Sequence, residues 1–246
     1  MRIAAILAVS ILSLTAAGCT GDARGSEGEQ PARASARRDF QVGAFHTVSS
    51  TGPYDIVVAV GGAPSVRAEG DREMVEKMEV VVENGVLRIG FVEGTSFRSL
   101  LGREPRATLH ITVPSLAGAN LAGSGDIRID RVEGQRFAGN LSGSGDIEIG
   151  RLQVGEAAFN LEGSGGIRAS GTAGRAAVSL AGSGDIELAR LEARDLTVAL
   201  MGSGDVAARA TGTAQVSLMG PGDVTVSGPA RCRIERHGPG EVRCNA

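Results

Sequence analysis

The sequence predicts an all-β protein: a right-handed parallel β-helix (β-solenoid) of about seven coils of 18–20 residues, preceded by a less regular N-terminal β region. Three observations carry that prediction. Gly-Ser-Gly-Asp-Ile or a close variant recurs at Gly123, Gly143, Gly163, Gly182, Gly202, Gly220 and Gly238. Aliphatic residues stand at fixed offsets from it: Leu121, Leu141, Leu161, Leu180, Leu200 and Leu218 before the first glycine, Ile127, Ile147, Ile167, Ile186, Val206, Val224 and Val242 after it. Between them polar and apolar residues alternate, the period of a strand with one face inward. A unit this short cannot close its own core. Stacked copies can, each strand pairing in parallel with its equivalent about 4.8 Å away. The hand follows from the chirality of parallel crossovers. Leucine-rich repeats have a similar period, but their asparagine-punctuated leucine pattern is missing.

The elements follow in chain order. Arg2 and the apolar run from Ile3 to Leu14, then Thr15-Ala16-Ala17-Gly18, have the layout of an export signal over residues 1–18. The run is too short to span a bilayer. Ala16-Ala17-Gly18-Cys19 resembles a bacterial lipobox, which makes Cys19 the expected site of lipid attachment. An ordinary signal peptide with an incidental cysteine is the plainer alternative. Residues 19–39 carry four acidic and four basic side chains among small residues, and read as a flexible tether to the membrane. Thr20 in place of Asp lacks the mark of inner-membrane retention, which points to the outer membrane in an organism with two.

The remaining 40–246 read as one domain, irregular over 40–114 and regular over 115–246. Strands are expected at Val42–Val48, Tyr54–Val60, Ser65–Ala68 and Ala107–Val113. Asp71 is placed to cap a short helix running to Met78, with Met74, Val75 and Met78 on one face. Asn84-Gly85 between apolar runs marks a two-residue hairpin, and Thr95–Arg106 reads as a loop. The charged last coil (Arg231, Arg233, Glu235, Arg236, Glu241, Arg243) reads as a cap against end-to-end pairing.

Several columns should appear once the coils stack. Arg128, Glu148, Arg168 and Glu187 alternate in sign, and Asn120, Asn140 and Asn160 could form an amide ladder. The corner glycines supply positive φ and let backbones approach. Asp126, Asp146, Asp185, Asp205 and Asp223 form a carboxylate column, which raises calcium as a candidate ligand. Against it, each corner offers one carboxylate, Gly166 interrupts the series, and calcium takes six to eight oxygens. The plainer expectation is that each Asp accepts backbone N–H groups of its own turn. Cys232 and Cys244 are an even pair in an exported chain, either a disulfide or two packed thiols.

The ordered series Gly52-Pro53-Tyr54-Asp55-Ile56, Val66-Arg67-Ala68-Glu69-Gly70-Asp71, Glu83-Asn84-Gly85-Val86-Leu87-Arg88-Ile89 and Ile111-Thr112-Val113-Pro114-Ser115-Leu116, followed by Gly-Ser-Gly-Asp corners, resembles the head GIN domain family, over about residues 40–228. The family carries the auto-transporter adhesin label and its function is unknown. The resemblance implies a β-helix and an envelope location, and no established activity. The Gly-Pro-Gly corners at Gly220 and Gly238, and Gly166 in place of Asp, depart from its pattern.

Composition narrows the function classes. A net charge of −3 argues against a surface built for nucleic acid. Six Phe, one Tyr and no Trp leave little for stacking on sugars or bases. Pectin-degrading β-helices cluster carboxylates with Lys or Arg and use aromatic platforms. Here Lys77 is the single lysine, and His46, His110 and His237 are scattered without metal spacing. The Gly-x-Gly corners lead into strands, not the helix N-terminus of a phosphate loop. No catalytic residue and no cofactor is assigned. The expected role is a lipid-anchored binding, adhesion or scaffold module of the cell envelope, with an envelope protein or polysaccharide as partner. A polysaccharide-active enzyme or a calcium-binding solenoid is the alternative.

Overall fold

The structure, a computed structural model, describes residues 35–92 and 106–245. They belong to the unit Arg33–Ala246. The signal segment 1–18, Cys19, the tether as far as residue 34 and the loop at 95–105 lie outside the described residues.

The chain is a β-solenoid of about six turns. Its regular part consists of β8 (Gly118–Gly123), β9 (Ile127–Gly143), β10 (Asp146–Gly163), β11 (Gly166–Gly182), β12 (Asp185–Gly202), β13 (Val206–Met219), β14 (Val224–Ser227), β15 (Arg231–His237) and β16 (Val242–Asn245). Each long strand pairs in parallel with the next, one coil on. The register puts Leu121, Leu141, Leu161, Leu180, Leu200 and Leu218 side by side, all at most 1% exposed. The isoleucine and valine column from Ile127 to Val224 is equally buried. Full burial of each such side chain contributes roughly 1.5–3 kcal/mol, which is how units too small to fold alone hold together. Phe159 fills the space beside Gly139, its ring 6.3 Å from Phe137.

Two glycines at each corner answer two separate demands. Gly143 has φ of 139°, and a Cβ there would lie 2.2 Å from the Gly123 carbonyl oxygen. Gly145 has an ordinary φ, but its Cβ would come within 1.8 Å of the Gly125 oxygen. The first glycine therefore supplies both conformation and clearance, the second clearance alone.

The N-terminal region continues the same sheet and closes its end. Its strands are β1 (Ser35–Phe40), β2 (Thr47–Thr51), β3 (Asp55–Val60), β4 (Ser65–Asp71), β5 (Met78–Glu83), β6 (Val86–Phe91) and β7 (Ala107–Val113), with α1 at Arg72–Glu76. Stacking order departs from chain order here. The β2–β3 coil lies between the later β6–β7 coil and the start of the regular stack, since β2 pairs with both β6 and β8, and β3 with both β7 and β9. Beyond β6 and β7 the pairing turns antiparallel, with β5 on β6 and β4 then β1 on β7. That change ends the helical winding.

Three sequence expectations are corrected. Residues 35–39, read as tether, form β1. Their charges are cross-strand partners: Arg37 pairs with Glu69 and Asp39 with Arg67, each at 2.7 Å. The strand expected at Val42–Val48 starts only at Thr47, because Phe45 tucks into the core and the His46 N–H donates to the Gly85 carbonyl. The helix stops at Glu76, leaving Met78 to open β5. Asp71 does cap it, accepting the Glu73 N–H at 3.0 Å, and Met74, Val75 and Met78 are all buried. The hairpin turns on Asn84 (φ 51°) and Gly85 (φ 76°), the positive pair that a tight two-residue loop requires.

Candidate functional site

Parallel in-register stacking turns single residues into columns, and the outward columns are where function can reside. On the strands entering the corners, Asn140 Nδ2 donates to Asn120 Oδ1 and Asn160 Nδ2 to Asn140 Oδ1, both at 2.7 Å. A carboxamide has two N–H donors and two acceptor lone pairs. The ladder uses one of each on Asn140 and leaves one of each for a ligand. Ser49 continues the column below and Ser179 above. A shallow groove of about 370 Å³ runs along this ladder, walled by Ser142 and Glu162.

The first charge column stands on the strand segments that leave the corners. Arg128 reaches Glu148 at 4.0 Å, and Arg168 reaches Glu187 at 3.2 Å and Asp146 at 3.3 Å. Partial burial opposes the Arg168 charge, yet Glu187 and Asp146 together hold its pKa above the usual value. A second alternating column, Arg136–Glu156–Arg175–Asp195, escaped the sequence reading although it repeats at the same interval. Arg136 and Arg175 flank Glu156 at 3.0 and 3.3 Å. The Thr213 hydroxyl, and then Arg194, hold Asp195 below the ordinary carboxylate range.

The corner carboxylates do something other than expected. Asp126 Oδ1 accepts the backbone N–H of Asp146 at 3.2 Å, Asp185 that of Asp205 at 3.0 Å, Asp205 that of Asp223 at 3.0 Å, and Asp223 that of Glu241 at 2.8 Å. Each ties its coil to the following coil, not to its own turn. The reason is the stacked corner: the nearest backbone donor in line with the side chain belongs to the next rung. Gly166 interrupts the series, and Asp146 Oδ2 accepts from Arg168 as Asp126 Oδ2 does from Arg128. Among the described residues no three His, Cys, Asp or Glu side chains gather as a cation site.

The remaining candidates are dispersed. His46 is exposed beside Thr47, His110 is exposed on β7, and His237 ends β15. Lys77 pairs with Glu73 at 2.6 Å. Cys232 on β15 and Cys244 on β16 are joined as a disulfide, their Cα atoms 6.6 Å apart. Arg236 takes the place of leucine in the last coil, its register partner being Leu218, and donates to the Gly240 carbonyl at 2.9 Å. No described helix is long and apolar enough to cross a membrane.

The family model described as "Putative auto-transporter adhesin, head GIN domain" matches residues 44–230. The chain belongs to the head GIN domain family. No curated protein matches the sequence. Among solved structures, this head GIN domain is similar to an adhesin, so labelled provisionally, from Bacteroides fragilis (23% identity, TM-score 0.80, covering 88% of this chain and 99% of that one). It is also similar to one from Parabacteroides distasonis labelled a lipid binding protein (19%, TM-score 0.67, 86% and 96%). A second P. distasonis structure carries the adhesin label (18%, TM-score 0.68, 87% and 97%). At these identities the likeness speaks to the fold, a β-helix shared over nearly the full length of each relative.

Proposed function

We propose that this head GIN domain is the non-catalytic binding end of an exported, lipid-anchored envelope protein, and that its ligand is a hydroxyl-rich polymer such as a polysaccharide. The observation that carries the reading is the amide ladder. Its three carboxamides are held in one line with unspent donors and acceptors facing an exposed groove. Hydroxyl groups repeating along a polymer are chemically matched to such a row, because each both donates and accepts. The adhesin labels of the family and its structural relatives agree with a binding role. The anchor rests on Ala16-Ala17-Gly18-Cys19. Acyl chains there would contribute roughly 0.8 kcal/mol per buried CH₂, and two or more chains hold a protein stably on a membrane.

Two experiments test the parts separately. Cys19→Ala should release the full chain from the membrane fraction; undiminished retention would refute the anchor. The released chain, applied to an array of envelope polysaccharides, should be retained by at least one of them. Asn140→Leu should abolish that retention with the circular dichroism spectrum unchanged. Equal retention by wild type and Asn140→Leu would overturn the assignment of the groove.

A further inference from the structure

The sheet face that carries the amide ladder ends, near the C-terminal coil, in a cluster of different chemistry. Met201 on β12, Met219 on β13 and His237 on β15 occupy one outward column: Met201 is the register partner of Met219, and Met219 that of His237. In the coils below, the same position holds Ala122, Ser142, Glu162 and Ala181. The two methionines are 59% and 53% exposed, among the few large apolar side chains turned to water. Met74 and Met78, by contrast, are at most 1% exposed. Core packing explains those two and does not explain this pair.

We propose that Met201, Met219 and His237 form a surface site for a soft monovalent cation, copper(I) or silver(I), bound by two thioethers and one imidazole. Thioether sulfur is a soft donor that favours copper(I) over the harder divalent ions, and imidazole suits copper as well. The ladder sets the geometry. Neighbouring strands lie about 4.8 Å apart, near enough for long side chains on three successive rungs to converge on one ion. An ion above the middle rung is bonded by Met219 from directly beneath, and Met201 and His237 lean in from the rungs on either side. Methionine's three rotatable bonds permit that lean, and parallel pairing keeps all three side chains on one face. The disulfide between Cys232 and Cys244 pins β15 to β16, which fixes the strand that presents His237. The site is independent of the polysaccharide reading.

Silver(I) is the probe, because it is redox-inert and needs no reductant that would open the disulfide. The full chain carrying Cys19→Ala, which removes the one competing thiol, is titrated at neutral pH in chloride-free buffer and followed by native mass spectrometry and by the methionine ε-methyl NMR signals. One silver ion should bind, shifting the Met201 and Met219 methyls together and leaving those of Met74 and Met78 in place. Met201→Leu, Met219→Leu and His237→Gln, which preserve bulk at exposed positions, should each weaken binding by about tenfold or more, the loss seen even when an outer partner of a metal ligand is removed. Zinc(II) should not compete. Silver affinity unchanged in the Met201→Leu/Met219→Leu double variant, or methyl shifts that occur independently of one another, would overturn the proposal.

Discussion

Alanine at Gly145 tests whether coil spacing is set by backbone contact at the corners. A Cβ there would lie 1.8 Å from the Gly125 carbonyl oxygen and 3.1 Å from Leu121 Cδ2. That is far inside the ~3.5 Å at which non-bonded heavy atoms sit comfortably. The obstacle is backbone and cannot rotate away, so the coils must separate locally. Separation weakens two bonds to the Gly123 carbonyl, from the Ser144 N–H (3.0 Å) and the Gly145 N–H (3.3 Å). Overpacking of about 1–3 kcal/mol plus two hydrogen bonds of about 1 kcal/mol each gives a loss of about 3–5 kcal/mol. Gly134→Ala is the control: it lies in the same stack, has an ordinary φ, and its Cβ would meet nothing within 4 Å. Reduced chain entropy should leave that variant neutral or stabilised by about 0.4–1 kcal/mol. Repeat arrays need not unfold in one step, so the assay is native-state hydrogen exchange on the β9 and β10 amides, alongside urea unfolding. Equal protection in the two variants would refute the reasoning, since chain entropy alone would then account for both glycines.

Other outcomes follow from single features. Ser50 stands in the leucine column between Ile89 and Leu121, 1% exposed, with no hydrogen-bond partner for its hydroxyl. Ser50→Ala should stabilise by about 1 kcal/mol, the low end of the cost of a buried unpaired polar group, in thermal unfolding. Asp205→Asn keeps the oxygen that accepts the Asp223 N–H and should be mild, whereas Asp205→Ala should lose about 1 kcal/mol in urea. Reducing Cys232–Cys244 frees a loop of sequence separation 12, worth roughly 3 kcal/mol in the chain-entropy account; exchange should quicken in β15 and β16 and leave β10 unchanged. Burial raises the Tyr54 phenol above its ordinary value of 10.0. The folded state therefore binds the proton more tightly, and its stability, intact below the unfolded pKa, declines as pH rises past about 10. Tyr54→Phe should flatten that alkaline limb.

The repeat was legible because one physical demand is imposed at every rung. Inward positions must be aliphatic and corners must clear a carbonyl, so the Leu121-to-Leu218 column and the glycine pairs could be read from spacing alone. The amide ladder was legible for the same reason. What the spacing did not reveal was the direction of bonds between rungs. Asp at a turn ordinarily bonds its own backbone, and nothing in Gly-Ser-Gly-Asp distinguishes that from a bond to the next coil. The choice is made by stacking. Arg37 and Asp39 looked like tether charges because the partners that order them, Glu69 and Arg67, are distant in sequence.

The N-terminal coils show why pairing order cannot be taken from chain order, and the consequence reaches the candidate groove. Had the coils stacked as they occur in the chain, the β6–β7 coil would have separated β2 from β8, and Arg88 would have stood next to Asn120. Instead β2 is inserted between β6 and β8, so Ser49 is the rung beneath Asn120 and Arg88 lies one rung further out. A small neutral hydroxyl thus begins the amide row, and a guanidinium is kept from donating into its first carbonyl. The same insertion leaves β6 and β7 outermost among the parallel strands, where β5 and β4 cover them in antiparallel pairing. Capping the stack and keeping Arg88 off the rung next to Asn120 are therefore one topological decision. Substituting Ser49 with a bulky residue would disturb the groove from below without touching a single asparagine.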